Sequence, residues 1–261
     1  MASISLLRSS KRAYDELREL QVTYDILAYA SGSTLFQLGN TKVLCAVTLQ
    51  NGIPHFLRGK KTGWLTAEYS LLPASTPIRT IREITANKRS GRTIEISRLI
   101  GRALRSVTNL SMLGEYTIFV DCDVLQADGG TRTASITGAY LALKAAQDKW
   151  KDEGVISNDI IIDELAAVSV GLGKNGILLD MDFAEDSAID ADFNFVLTRS
   201  NRIIEIQGCA EKVPLDWNDY EEIRVLALKG AKDMFNFFDE NRYFSTALRR
   251  SSFFSAYPSE L

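Results

Sequence analysis

The sequence predicts a single α+β domain in which antiparallel and mixed sheets pack against helices. Three observations carry this reading. Residues 24–50 hold short apolar runs separated by Gly, Asn and Ser, which is the pattern of a strand meander. Two more strand pairs flank turn signals, at Lys174-Asn175-Gly176 and at Ser200-Asn201,. Three other segments repeat apolar residues at three- and four-residue spacing, the period of helices.

The elements follow in order. Tyr24-Asp25-Ile26-Leu27-Ala28 and Thr34-Leu35-Phe36-Gln37-Leu38 read as strands around the turn Ser31-Gly32-Ser33. Lys42 to Leu49 reads as a third strand after Gly39-Asn40. Residues 51–63, with Pro54, Gly59, Gly63 and the cations Arg58, Lys60 and Lys61, read as an exposed basic loop. Residues 73–91 form a second irregular region. Thr93 to Leu110 reads as a helix with Ile96, Ile100, Leu104 and Val107 on one face. Tyr116 to Cys122 alternates like a strand. After Asp128-Gly129-Gly130 a helix runs from about Thr131 to Lys151, and Ala134, Gly138, Ala142 and Ala145 give it a small-residue face suited to close packing. Ala166 to Gly173 and Ile177 to Leu179 form a hairpin, as do Phe193 to Thr198 and Ile203 to Gly208. A last helix covers about Asn218 to Phe238. From about residue 245 the chain is Ser-rich without a period and reads as a tail. No linker or internal repeat divides residues 1–261.

Composition narrows the classes. Hydrophobic residues make up 46% and charged residues 24%, which excludes a disordered chain. Net charge is -3, so any nucleic-acid site depends on local clustering of Lys and Arg. Cys45, Cys122 and Cys209 lie far apart in apolar stretches without metal-ligand spacing, and read as reduced core residues of a cytoplasmic protein. With His55 the only histidine, zinc hydrolysis and Ser/His chemistry lack their ligands and bases. Residues 1–12 have no long apolar core, and no window is apolar enough to span a membrane.

Three segments carry chemistry. Asp128-Gly129-Gly130-Thr131-Arg132-Thr133-Ala134-Ser135 joins a strand to a helix. Its glycines permit a tight turn, the helix start offers unpaired N–H groups, and Arg132 offers a planar fork. It reads either as a phosphate cradle or as an ordinary capped helix start. It is not a P-loop, since the Gly-Lys-Ser/Thr ending is missing. The second segment is a basic set: Arg58, Lys60, Lys61, Arg79, Arg82, Lys88, Arg89, Arg92, Arg98 and Arg102. It reads as a track for a phosphate backbone or as a solvated face. Arg92 follows Gly91 and stands just before a helix start, where it could share an anion with the N–H donors. The third runs from Asp180 to Asp192 with six acids in thirteen residues. It reads as an acidic surface loop or as carboxylates for a hard cation such as magnesium. Phosphoryl or nucleotidyl transfer fits this inventory better than acyl transfer.

The same segments resemble the RNase PH family. The motifs are Gly39-Asn40-Thr41-Lys42-Val43-Leu44-Cys45, Gly63-Trp64-Leu65-Thr66-Ala67-Glu68-Tyr69, the run Ser90 to Arg102, the run Asp121 to Ala139, Glu185-Asp186-Ser187 through Asp192-Phe193-Asn194, and Glu205 to Glu211. They occur in order over about residues 8 to 238. The resemblance implies an RNase PH-type fold, assembled as a hexameric ring, a trimer of dimers. It implies a tRNA nucleotidyltransferase, that is, a phosphorolytic 3′-to-5′ exoribonuclease. Inorganic phosphate is its co-substrate, and it trims precursor tRNA and other RNA, including in rRNA processing. Each cycle releases a nucleoside diphosphate, and the reverse reaction adds nucleotides. By resemblance Arg92, Gly130, Thr131 and Arg132 bind phosphate. Asp186 and Asp192 match the acidic pair tied to catalysis and a divalent metal, Mg2+ in expectation, and Arg79 and Arg82 match arginines that grip RNA.

The chain also departs from the pattern. Ala74 stands where the family usually has another arginine, Arg8-Ser9-Ser10-Lys11-Arg12 lacks the usual glycine, and Asn194 replaces the lysine of polynucleotide phosphorylase. Two alternatives stay open: an inert ring subunit that binds RNA or partner subunits, and a nucleotide- or phosphate-metabolising enzyme unrelated to RNA.

Overall fold

The computed structural model describes residues 8, 11–83, 85, 89–174, 176–212 and 214–243. Lys88, Asn175 and the tail expected from about residue 245 lie outside them.

The first sheet contains β1 (Leu20–Tyr24), β2 (Gly32–Leu38), β3 (Thr41–Asn51), β4 (Trp64–Leu71) and β5 (Tyr116–Gln126). Its order is β1-β2-β3-β5-β4. The first three strands form the expected antiparallel meander, and β3 pairs antiparallel with β5. β4 lies parallel to β5, and α1 (Gly91–Ser106) supplies the crossover between them, because parallel neighbours cannot be joined by a tight turn. The second sheet contains β6 (Leu165–Gly173), β7 (Gly176–Leu179), β8 (Ala191–Thr198) and β9 (Ile203–Ala210), in the order β7-β6-β8-β9. All its pairings are antiparallel.

The helix α2 (Thr131–Asp152) packs on both sheets, against β2, β3 and β5 on one side and β6 on the other. Its small residues explain how. A methyl group at Gly138 would sit 2.9 Å from the Cys45 Sγ and 3.0 Å from Phe36. On the facing strand, a methyl group at Gly32 would lie 2.3 Å from the Ala142 carbonyl oxygen. A helix buried on nearly all sides has no need of a polar face. The helix α4 (Trp217–Glu240) covers the outer face of the second sheet. One apolar cluster, including Phe36, Ile136, Leu143, Phe195 and Met234, runs through both sheets and these helices.

Several expectations shift. The first strand is Leu20–Tyr24 and not Tyr24–Ala28: Asp25 takes a left-handed φ of 58° and ends it. Strand β4 was not assigned by period, although Leu65, Ala67 and Tyr69 alternate inward. A short helix α3 (Phe183–Asp186) interrupts the acidic stretch. Cys45 and Cys122 are buried opposite one another on β3 and β5, but Cys209 is exposed on β9, the edge strand of its sheet. It is therefore not a core residue. Among the described residues no helix is long and apolar enough to cross a membrane.

Candidate active site

Three helices and two strands of the second sheet converge on one polar cavity of about 90 Å³. Arg92 reaches it from the first turn of α1, Gly130, Thr131 and Arg132 from the start of α2, Asp186 from α3 and Asp192 from β8. An adjoining cleft of about 500 Å³ shares Arg92, Gly130, Thr131 and Asp186, and adds Thr76, Ile78 and the half-exposed Phe183.

Each element has a local reason to begin where it does. Ser90 caps α1, accepting a hydrogen bond from the Thr93 N–H at 3.0 Å, as N-caps do. The Glu83 carboxylate accepts from the Ser90 N–H at 3.1 Å and from the Thr93 hydroxyl at 2.5 Å. These bonds outweigh desolvation and hold its pKa below the usual carboxylate range. Gly130 opens α2 with a left-handed φ of 64°, preceded by Gly129 at 71°, conformations that favour glycine. The first N–H groups of α2 are left free of helical partners. Thr131 is fixed by Tyr69, whose hydroxyl donates to the Thr131 Oγ1 at 3.1 Å.

The Arg132 guanidinium is braced by donating to Gln207 Oε1 at 2.8 Å and to Glu95 Oε2 at 3.0 Å. Gln207 in turn donates to Glu95 at 3.2 Å. This triangle ties α1, α2 and β9 together and fixes the arginine fork at the cavity. The Arg132 Nε is buried without a hydrogen-bond partner.

The six acids divide sharply. The carboxylate of Asp180 accepts from the Arg18 backbone N–H and from its guanidinium, at 2.7 to 2.9 Å. Glu185 receives both the Nε and an Nη of Arg8, at 2.7 and 2.6 Å. Asp182 caps α3 in a reciprocal capping box with Glu185,. Asp190 pairs with Lys212 at 3.1 Å. Asp186 and Asp192 instead line the cavity. Burial raises the pKa of both, and neighbouring charge adds to it: Asp192 acts on Asp186, and Glu211 acts on Asp192. Arg92 and Arg132 offset part of this. Two neighbouring carboxylates whose charged forms are disfavoured in this way favour a nearby cation. Among the described residues no group of three or more His, Cys, Asp or Glu forms a metal cage. Magnesium uses one or two carboxylates plus water and substrate phosphates, and the donor set here fits that habit.

The basic set is partly structural. Arg89 pairs with Glu68 at 2.7 Å and Arg102 with Glu205 at 2.7 Å. Arg79 and Arg82 lie exposed on the loop that lends Thr76 and Ile78 to the cleft, without lining it themselves. Arg58, Lys60 and Lys61 are exposed on the other loop. Ala74 is exposed as well. Residue reasoning missed Ser169 and gave no place at the site to Tyr69, Glu95 or Gln207. Ser169 is a cavity-lining residue, hidden in the sequence inside an apolar run.

Comparison with known proteins agrees with this architecture. Residues 16–147 match the 3′ exoribonuclease family, domain 1, and residues 163–230 match domain 2 of the same family. Ribonuclease PH of Neisseria meningitidis serogroup B is 51% identical over 223 residues, covering 85% of this chain and 92% of the relative. Ribonuclease PH of Bacillus subtilis is 49% identical over 229 residues, covering 87% and 94%. Among solved structures, a chain of the Archaeoglobus fulgidus exosome with RNA bound to the active site superposes with a TM-score of 0.75 at 22% identity, over 88% of this chain and 92% of that one. A chain of an archaeal exosome core gives 0.71 at 21% identity, over 89% and 91%. With both family domains matched in order and about half of the aligned residues identical to those of the relatives, the chain belongs to the 3′ exoribonuclease family, on its ribonuclease PH branch.

Proposed function

We propose that this chain is a phosphate-dependent 3′-to-5′ exoribonuclease that trims precursor tRNA and other RNA. The observation that carries the reading is the single cavity shared by Arg92, the Gly130-Thr131-Arg132 helix start, Asp186 and Asp192. Phosphate lies against the α2 N-terminus, with Arg92 and Arg132 on its oxygens. One of its oxygens attacks the last internucleotide phosphorus in line. The bond from that phosphorus to the 3′ oxygen of the penultimate nucleotide breaks, and that oxygen takes up a proton. The products are a nucleoside diphosphate and an RNA one nucleotide shorter, and the reverse reaction lengthens RNA. Asp186 and Asp192 would hold a divalent metal, Mg2+ in our reading, which supplies charge stabilisation to the transferring phosphoryl group. Arg79 and Arg82 grip the RNA backbone next to the cleft. The working unit is a hexameric ring in the cytoplasm.

The test is incubation with a short labelled RNA and magnesium, with and without phosphate. Nucleoside diphosphates are expected only with phosphate. Replacing Arg92 or Asp186 by Ala removes one preorganised electrostatic contact and should slow phosphorolysis by roughly a hundredfold or more, with the fold retained by circular dichroism. An Asp186→Ala protein of near-normal rate would overturn the assignment, and phosphate-independent decay would point to another reaction.

A further inference from the structure

We propose that Ser169 is a further phosphate-positioning residue, its hydroxyl donating to the anion that Arg92, Thr131 and Arg132 receive. The proposal rests on the phosphorolytic reading above.

Ser169 sits mid-strand in β6, inside the run Ala166-Ala167-Val168-Ser169-Val170. It is 6% exposed, and its Oγ is buried without a hydrogen-bond partner. The buried hydroxyls of Ser75 and Ser97 are unpartnered too but do not line this cavity, whereas three others are engaged by the fold. Thr34 donates to the Gly138 carbonyl at 3.0 Å, Ser135 donates to that of Thr131 at 2.7 Å, and Thr137 accepts from the Ala167 N–H at 3.2 Å. The backbone of Ser169 is engaged too, its carbonyl accepting from the Asp180 N–H at 2.8 Å. Only the hydroxyl is left over. An unsatisfied buried polar group is a cost that folding normally avoids.

The strand register shows where that hydroxyl points. Ser169 pairs directly with Asn194 on β8, so the two side chains share a sheet face, and Asp192, two positions from Asn194, shares it as well. All three line the small cavity with Arg132. Two residues along β6, a methyl group at Gly171 would meet the Met181 sulfur at 2.1 Å. Met181, which also lines the cavity, therefore packs against β6 beside Ser169.

A second leftover group selects the ligand. The Arg132 Nε is likewise buried without a partner, and an Nε–H can only donate. A metal ion cannot satisfy it. A compact ligand with several acceptor oxygens satisfies this N–H and the Ser169 hydroxyl together, and phosphate is such a ligand.

Ser169→Ala removes the hydroxyl and adds no bulk. The measurements are steady-state phosphorolysis with phosphate and RNA varied separately, and melting temperature with and without inorganic phosphate. We expect the KM for phosphate to rise about tenfold, the factor that a lost hydrogen bond to a charged acceptor represents. The KM for RNA should stay within about twofold. The ligand-free melting temperature should hold or rise, while the increase produced by phosphate shrinks. Ser169→Thr, which keeps the hydroxyl, should recover part of the phosphate affinity. Unchanged phosphate KM and unchanged phosphate-induced stabilisation in Ser169→Ala would overturn the proposal. So would a fall in kcat with phosphate binding intact, which would place the hydroxyl with the carboxylates. If the unaltered protein degrades RNA without phosphate, the phosphorolytic reading itself fails, and the role of Ser169 fails with it.

Discussion

Asp180, Glu185 and Asp186 lie within seven positions of one another and have different fates. Asp180 and Glu185 are held in arginine pairs, whereas Asp186 faces Asp192 across a cavity. Spacing alone cannot sort them, since the deciding partners sit 162 and 177 positions away, at Arg18 and Arg8. The acidic stretch was therefore legible as a candidate and its division was not. Ser169 was illegible for a related reason. A serine among alanines and valines resembles any small strand residue until the opposite strand is known. At the cavity, charge and stability oppose each other. Burial and the neighbouring carboxylates disfavour a charged Asp186 in the ligand-free protein. Asp186→Asn should therefore hold or slightly raise the melting temperature without ligand, while phosphorolysis falls by roughly a hundredfold. Differential scanning fluorimetry beside the RNA assay checks both. A lower melting temperature would mean that Asp186 is a structural anchor.

Two elements depend on ionic clasps. Arg18 joins the acidic segment to the helix start. It pairs with Asp180 at 2.7 Å and donates to the carbonyls of Asp128 and, at 3.4 Å, Gly129. Gly129 reinforces the join, because a methyl group there would sit 2.6 Å from the Met181 carbonyl oxygen. Arg18→Met would leave Asp180 buried without this partner and should cost about 3 kcal/mol or more in denaturant unfolding. The β8–β9 hairpin is anchored differently. Its turn residues Ser200 and Arg202 donate to Asp163, Arg202 at 3.0 Å. Burial would raise the Asp163 pKa, but these hydrogen bonds outweigh it and hold the pKa below the usual carboxylate range. A depressed folded-state pKa contributes stability above the unfolded value, near 3.9, and loses it as pH falls through the folded value. Asp163→Asn should thus cost about 1 kcal/mol at neutral pH, and the difference should fade below about pH 4. Unfolding curves at pH 7 and pH 3.5 test the sign. Helices and hairpins of this kind were largely legible from period and turn residues. Strand β4 carries the alternation of a strand, with Leu65, Ala67 and Tyr69 inward, but its parallel partner lies beyond a helix and its place in the sheet was not legible. The four-residue α3 is too short to show a period.

At the scale of the molecule, α2 is the axis on which both sheets are built, and its N-terminus opens into the site. The small-residue face of this helix was legible, but its second buried side was not, because the residues covering it come from β6. The whole-chain charge of -3 leaves RNA affinity to local cations. Binding should weaken steeply with salt. Replacing Arg79 and Arg82 together by Ala should flatten the slope of log affinity against log salt by about 1.4, at about 0.7 per phosphate contact on a single strand. Fluorescence anisotropy with a single-stranded RNA between about 50 and 200 mM salt measures it. An unchanged slope would remove both arginines from the RNA path.

The clasp at Arg18 and Arg8 also sets an order of events during synthesis. These arginines leave the ribosome before the acids that neutralise them, which come 162 and 177 positions later. At a synthesis rate of roughly 5–20 residues per second, that gap lasts on the order of ten seconds or more. Over that interval the first sheet can form from its own neighbours, but the amino-terminal arm stays open and cationic. Contacts that close such long loops come late in folding. The pocket is thus completed only when the segment around Asp180 and Glu185 reaches these arginines, and a ribosome-bound fragment that stops short of Asp180 lacks Asp186 and Asp192 of its lining.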